Sequence, residues 1–219
     1  SLIMRTDARA LACDIEVVDT PRDFGEFVAR SAGGVIGSWR DMAWKPGRYA
    51  VEFPLRGGGA MRDVEIILPH NLIFVFTSLA LDGGLAAPAG PVPSPAWLAI
   101  GDSITQGMNA ISPSFTYVQR VCDALSIGAW NLGIGGAVMA PSLFSWALDR
   151  QPWQVVTVAL GSNDCIVGVP LDEFRAKTRE MIDCISGRAP RARVIFVTPP
   201  PATKPDPAFS SLAAYRRAI

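Results

Sequence analysis

Histidine is nearly absent, His70 being the one imidazole in 219 residues. Cysteine is sparse too. Cys13, Cys122, Cys165 and Cys184 stand far apart and form no C-x-x-C pair, which excludes a zinc finger or redox dithiol and leaves buried free thiols as the expectation. The chain has no net charge, 20 Lys+Arg against 20 Asp+Glu. No global field attracts a polyanion, so nucleic acid is not an expected partner. No run approaches the ~18 apolar residues of a spanning helix, and no basic stretch precedes an apolar one as in a secretory signal. No membrane partner is expected, and a cytoplasmic location is the expectation. What is present is 49% hydrophobic and 18% charged, with mean hydropathy +0.26. That composition suits a globular protein with a sizeable core.

The first part of the chain has a period of two. Leu11, Cys13, Ile15 and Val17 alternate with Ala12, Asp14, Glu16 and Val18; Tyr49, Val51, Phe53 and Leu55, and then Val64, Ile66 and Leu68, repeat the pattern. Successive strand side chains point to opposite faces, so these segments predict half-buried antiparallel strands. Residues 72–81 are apolar on both faces and predict a strand covered on both sides. Residues 1–86 are thus expected to form a small antiparallel β-sandwich or jelly-roll-like domain, and 87–95, rich in Pro and Gly, a linker.

From residue 96 the pattern changes. Trp97–Ile100, Ala129–Leu132, Gln154–Leu160 and Arg193–Thr198 are short apolar runs suited to strands buried on both faces. Helical patterns lie between them: Phe115, Val118, Cys122 and Leu125 behind Ser112-Pro113, and Leu171, Phe174, Thr178, Met181, Ile182 and Ile185 ahead of Gly187 and Pro190. A last helix is predicted from Asp206-Pro207. Strand and helix alternation predicts a doubly wound α/β domain over 96–219, with parallel strands and crossover helices. In such sheets ligands bind beyond the carboxyl ends of the strands.

Three polar or Gly-rich loops fall at those ends: Gly101-Asp102-Ser103, Asn131 to Gly136, and Gly161-Ser162-Asn163-Asp164. A serine just past a buried strand is placed to act as a nucleophile. The glycines of the second loop let backbone amides approach a small ligand, and the Asn163 carboxamide adds a donor. Amides gathered around one serine would form an oxyanion hole, stabilising charge that appears only in the transition state. Taken singly, a G-D-S is most often a turn and a glycine loop most often tight packing. Their order on consecutive strand ends joins them into one candidate site.

These blocks resemble the SGNH (GDSL-type) esterase and acyltransferase family, whose members carry a G-D-S nucleophile, an N-x-G-x-x-G-like block, a G-x-N-D block and a late D-x-x-H. The resemblance covers 97 to about 200. It implies a flavodoxin-like sheet, with Ser103 as nucleophile and an oxyanion hole made by its own amide, the amide of Gly136 and the side chain of Asn163. It also implies a small-molecule acyl ester or acyl donor as partner, with water or an alcohol acceptor, and no cofactor or metal. The stretch from Arg5 to Ala86 looks like the jelly-roll appendage of some members, some of which act as acyltransferases in natural-product assembly.

The family's D-x-x-H is missing. The expectation is therefore a C-terminally incomplete catalytic domain, lacking its fifth strand and the Asp and His that strand would bring. His70 is the only substitute base, and a single His at a strand end is usually structural or solvated. The alternative is a catalytically silent protein that binds carbohydrate or polyketide on the same scaffold. Other sites fail on pattern. Gly133-Ile134-Gly135-Gly136-Ala137-Val138 breaks the dinucleotide fingerprint at its last position, no G-K-[ST] exists, and Gly101 to Thr105 departs from G-x-S-x-G. Asp102 and Asp164 are read as acceptors bracing backbone amides rather than as metal ligands. Trp39, Trp44, Trp97, Trp146 and Trp153 are candidates for an apolar wall, though most such residues are core.

Overall fold

The structure is a computed structural model that describes residues 1–90, 94–201 and 207–219. The expected linker includes 91–93, and the expected start of the last helix includes Asp206; both lie outside the described residues. The chain forms two compact units: Ser1–Pro93 with Gly107–Asp123, and Ser94–Gln106 with Ala124–Ile219.

The first unit holds two antiparallel sheets. Strands β1 (Leu2–Thr6), β3 (Gly25–Ser31), β4 (Gly34–Asp41), β6 (Arg62–Ile67) and β8 (Leu85–Ala86) form one in the order β4-β3-β6-β1-β8; β2 (Ala10–Asp19), β5 (Gly47–Pro54) and β7 (Ile73–Leu81) form the other as β5-β2-β7. The period-two stripe of β2 explains the arrangement. Leu11, Cys13, Ile15 and Val17 point inward and meet Phe27, Val51, Phe53 and Ile66 in one core. Each such side chain contributes about 1.5–3 kcal/mol relative to an exposed position. Unlike the doubly covered strand predicted over 72–81, β7 has one neighbour among the described residues and one solvated face. Phe74 and Phe76 pack on the core while Ile73 and Val75 remain more than half exposed.

The first unit also includes a 3-10 turn, Pro113–Phe115, capped by the Ser112 side chain, and helix α2 (Tyr117–Leu125) as far as Asp123. The turn packs on β3, and Arg30 pairs with Asp123 at 2.8 Å. Val118 and Cys122 are buried as expected, but Phe115 and Leu125 are exposed. The turn ends at Thr116, so Phe115 is out of phase with the helix that follows. Leu125 ends the helix on its outer side.

The second unit is a parallel sheet of β9 (Trp97–Gly101), β10 (Ala129–Gly133), β11 (Val155–Ala159) and β12 (Arg193–Phe196), ordered β10-β9-β11-β12. This is the 2-1-3-4 order of a flavodoxin-like sheet. The central strand β9 is buried throughout, whereas β10 and β12, predicted as fully buried, carry the half-exposed Trp130, Val194 and Ile195. Both are edge strands with one neighbour each among the described residues. Helices α3 (Pro141–Leu148) and α5 (Leu171–Arg188) pack together through Phe144, Ala147, Phe174, Met181 and Ile185. Gly187 lies inside α5 rather than beyond it. The last helix, α6, spans Leu212–Ala218 after a separate 3-10 turn at Pro207–Phe209, and it buries Leu212 and Tyr215.

Candidate active site

Strand register sets the site. Gly101 of β9 aligns with Gly133 of β10 on one side and Ala159 of β11 on the other. Neighbouring strands lie about 4.8 Å apart, so three chains leave the sheet side by side at one level. The sequence order reverses between β9 and β11, the switch point at which α/β sheets open a crevice.

Ser103 opens α1 (Ser103–Gln106), a single turn directly after β9. As the first helical residue its N–H has no intrahelical acceptor. Asp102 precedes it and is buried, its carboxylate accepting the N–H of Ile104 at 2.9 Å. Burial raises the Asp102 carboxyl above the ordinary carboxylate value. The turn sits directly on the second loop. A Cβ on Gly101 would lie 1.9 Å from Thr105 Oγ1, and one on Gly133 would lie 1.9 Å from the Gln106 nitrogen. Only glycine allows that approach. Asn131 ties the two loops, its Nδ2 donating to Thr105 O at 2.8 Å and its Oδ1 accepting from Gly133 N at 2.9 Å.

The second loop turns at Ile134–Ala137, where Ala137 N donates to Ile134 O at 3.0 Å. Gly136 takes φ +78° there, and the space where its side chain would be is open. Among the described residues its N–H has no acceptor. The third loop begins at Gly161 with φ +118° and leads into the short helix α4 (Ser162–Ile166). Asn163 is partly buried, and its Nδ2 donates to Ala137 O at 2.9 Å. A carboxamide nitrogen carries two protons, so one fixes the side chain and one remains. Asp164 is buried and receives Met139 N on both oxygens, at 3.1 and 3.2 Å. Burial raises its carboxyl as well, with Asp102 and Glu173 adding to the shift. Asp102 and Asp164 both accept backbone amides.

Ser103, Gly136 and Asn163 are thus drawn to one edge of the second unit by contacts between their loops. His70 belongs to the first unit, where Nε2 donates to the carbonyl of Gly107 at 2.7 Å. A nitrogen that carries a proton cannot receive one, so Nε2 in this tautomer is no base. Trp44, Trp97 and Trp153 are buried core residues, with Trp97 Nε1 bonded to Thr157 Oγ1 at 2.9 Å. Sequence reasoning missed that the Asn163 carboxamide is bonded to the second loop. The G-x-N-D block signals the residue but not its partner.

Known proteins resemble the chain in sequence and fold. Residues 99–219 match the GDSL-like lipase/acylhydrolase family. The mouse isoamyl acetate-hydrolyzing esterase 1 homolog is 33% identical over 122 residues, 49% of this chain and 48% of its own. The rat homolog is 30% identical over 138 residues, 53% of this chain and 52% of its own. The chain therefore spans about half the length of the curated relatives it matches. The salicylyl-acyltransferase SsfX3 from a tetracycline biosynthetic pathway superposes with TM-score 0.79 at 22% identity, over 99% of this chain and 62% of that one. A family two carbohydrate esterase from Cellvibrio japonicus gives 0.72 at 15%, over 97% and 73%. Those likenesses establish the fold, and the match over more than half of the sequence establishes the kinship: the chain belongs to the GDSL-like lipase/acylhydrolase family.

Proposed function

We propose that this protein performs serine-dependent acyl transfer through an acyl-enzyme on a small-molecule ester. Ser103 Oγ attacks the ester carbonyl carbon, and the carbonyl electron pair moves to oxygen. The oxyanion is met by the N–H groups of Ser103 and Gly136 and by the remaining proton of Asn163 Nδ2. Collapse breaks the bond to the alkoxy group, which leaves as the alcohol with the proton given up by Ser103. Water or a second alcohol then attacks the acyl-enzyme, and Ser103 recovers its proton. With water the reaction is ester hydrolysis; with a small-molecule alcohol it is O-acyl transfer. The bond from Asn163 Nδ2 to Ala137 O carries the reading, because it holds a side-chain donor one residue from the open N–H of Gly136.

Oxyanion donors and binding alone retain roughly 10³ to 10⁴ over water. Turnover of an activated ester, p-nitrophenyl acetate, is expected to depend on Ser103. Mass spectrometry should find the acetyl group on Ser103. A rate unchanged in Ser103→Ala would overturn the proposal and favour a silent binding protein.

A further inference from the structure

Asp164 is only 2% exposed, and no cation pairs with it among the described residues. Burying a carboxyl costs free energy unless it is hydrogen-bonded. Both of its oxygens accept the same group, Met139 N, at 3.1 and 3.2 Å. Asp164 directly follows Asn163 on α4, and the Nδ2 of Asn163 donates to Ala137 O at 2.9 Å. Adjacent side chains of one short helix therefore grip one loop, at a carbonyl and at an amide two residues further along. All of these residues belong to the second unit.

The gripped loop joins the end of β10 at Gly133 to the start of α3 at Pro141. It has no ladder of its own, so its place depends on individual bonds. The front is held where Ile134 N donates to Gly101 O at 3.0 Å, and the turn closes where Ala137 N donates to Ile134 O. The rear is held at Met139, by the Asp164 carboxyl. A carboxamide anchored on a carbonyl is only as fixed as that carbonyl. Nδ2 of Asn163 carries two protons in one plane, and the proton that reaches Ala137 O sets the direction of the other.

We propose that Asp164 is a positioning residue for the Asn163 donor: by accepting Met139 N it keeps Ala137 O in place, and Ala137 O in turn aims the second Nδ2 proton. The inference rests on Asn163 serving Ser103 as an oxyanion donor. It makes the acceptor oxygen of Asp164, not its charge, the part that matters. An asparagine supplies that oxygen, whereas alanine and leucine do not.

The test is Ser103-dependent turnover of p-nitrophenyl acetate by the full chain, measured well below the unfolding midpoint of each variant. Misplacing a reacting group by about 1 Å costs up to ~10²-fold, so Asp164→Ala should lower kcat about tenfold with KM within roughly twofold. Asp164→Asn should recover most of that loss. Asp164→Leu fills the space without an acceptor and should lose about as much as Asp164→Ala; it carries the test if the alanine variant does not fold. In an Asn163→Ala background the loss should shrink to about twofold or less, because coupled residues are not additive. An unchanged kcat in Asp164→Ala or Asp164→Leu with a lowered unfolding midpoint overturns the inference. So does Asp164→Asn being no better than either, or an equal loss in both backgrounds. Loss of the Ser103 dependence itself is a separate result, since it removes the acyl-transfer reading whatever Asp164 does.

Discussion

The side chain of Asn163 and the main-chain carbonyl of Ala137 are bonded at 2.9 Å, so the loops after β10 and β11 are tied beside the turn that presents Gly136. Two further links converge on the same loop. Asp164 holds Met139 N, and Asn131 holds Thr105 O together with Gly133 N. On the proposed reading these links set the donors before any substrate arrives, which is where electrostatic stabilisation of a transition state gains most.

Removing the carboxamide should be costly. Asn163→Ala is expected to lower Ser103-dependent turnover by about 10² to 10³ with little change in KM, the usual effect of losing one oxyanion donor. Asn163→Asp should do no better, because carboxylate oxygens would face both Ala137 O and the developing oxyanion. Steady-state kinetics on an activated ester would decide it, and a loss below roughly threefold would rule out the assigned role.

The glycines of the site should separate into two kinds. A Cβ at position 133 meets main-chain atoms, Gln106 N at 1.9 Å and Thr105 C at 2.5 Å, which no side-chain rotation relieves. Gly133→Ala should therefore destabilise by about 3 kcal/mol or more through overpacking. At position 136 the space is open but φ is +78°, so Gly136→Ala should cost only the left-handed penalty of about 1–2 kcal/mol. Urea unfolding of the two variants checks the order, and a reversal would contradict the close approach of the turn to the second loop.

How far the sequence reveals this depends on whether a residue's role is set locally. The stripe of β2 was readable because one face meets a core and the other water, which writes alternation into Leu11 to Val17. The three loop blocks were readable because glycine, serine and asparagine at strand ends have few other uses in that order. β7 was not, since Ile73 and Val75 are as apolar as Phe74 and Phe76 but lie on its solvated face. β10 and β12 misled in the same way: composition does not say which strand has a single neighbour among the described residues. The bonds from Asn163 to Ala137 and from His70 to Gly107 join residues 26 and 37 positions apart. No periodicity encodes such pairs.

Buried carboxyls give the acid side of the stability curve a definite sign. Burial raises the carboxyls of Asp102 and Asp164 in the folded chain above the 3.8 of an unperturbed aspartate. Between that value and the folded one the native state binds more protons, so these groups make stability fall as pH rises through the window. Asp164→Asn removes the charge and keeps an oxygen for Met139 N. The stability of this variant relative to the parent should therefore increase as pH is raised from about 3.8, measured by urea midpoints at a series of pH values. A relative stability that falls over that range would exclude the buried carboxyl as its source.

His70 carries the opposite sign. Burial lowers its folded pKa below 6.5, outweighing the hydrogen bonds to the main chain at Gly107 and Ala110 that favour the charged ring. Below 6.5 the unfolded chain then takes up the proton more readily than the folded one. Stability is lost as pH falls from 6.5 towards the folded pKa and is retained above 6.5. Because the chain has one histidine, its ring C–H resonance can be followed through a titration without assignment, and the midpoint should lie below 6.5. His70→Gln should abolish this contribution while leaving the dependence due to Asp164 in place. A midpoint above 6.5 would mean that the folded state stabilises the imidazolium, and the pH dependence of stability near neutrality would reverse.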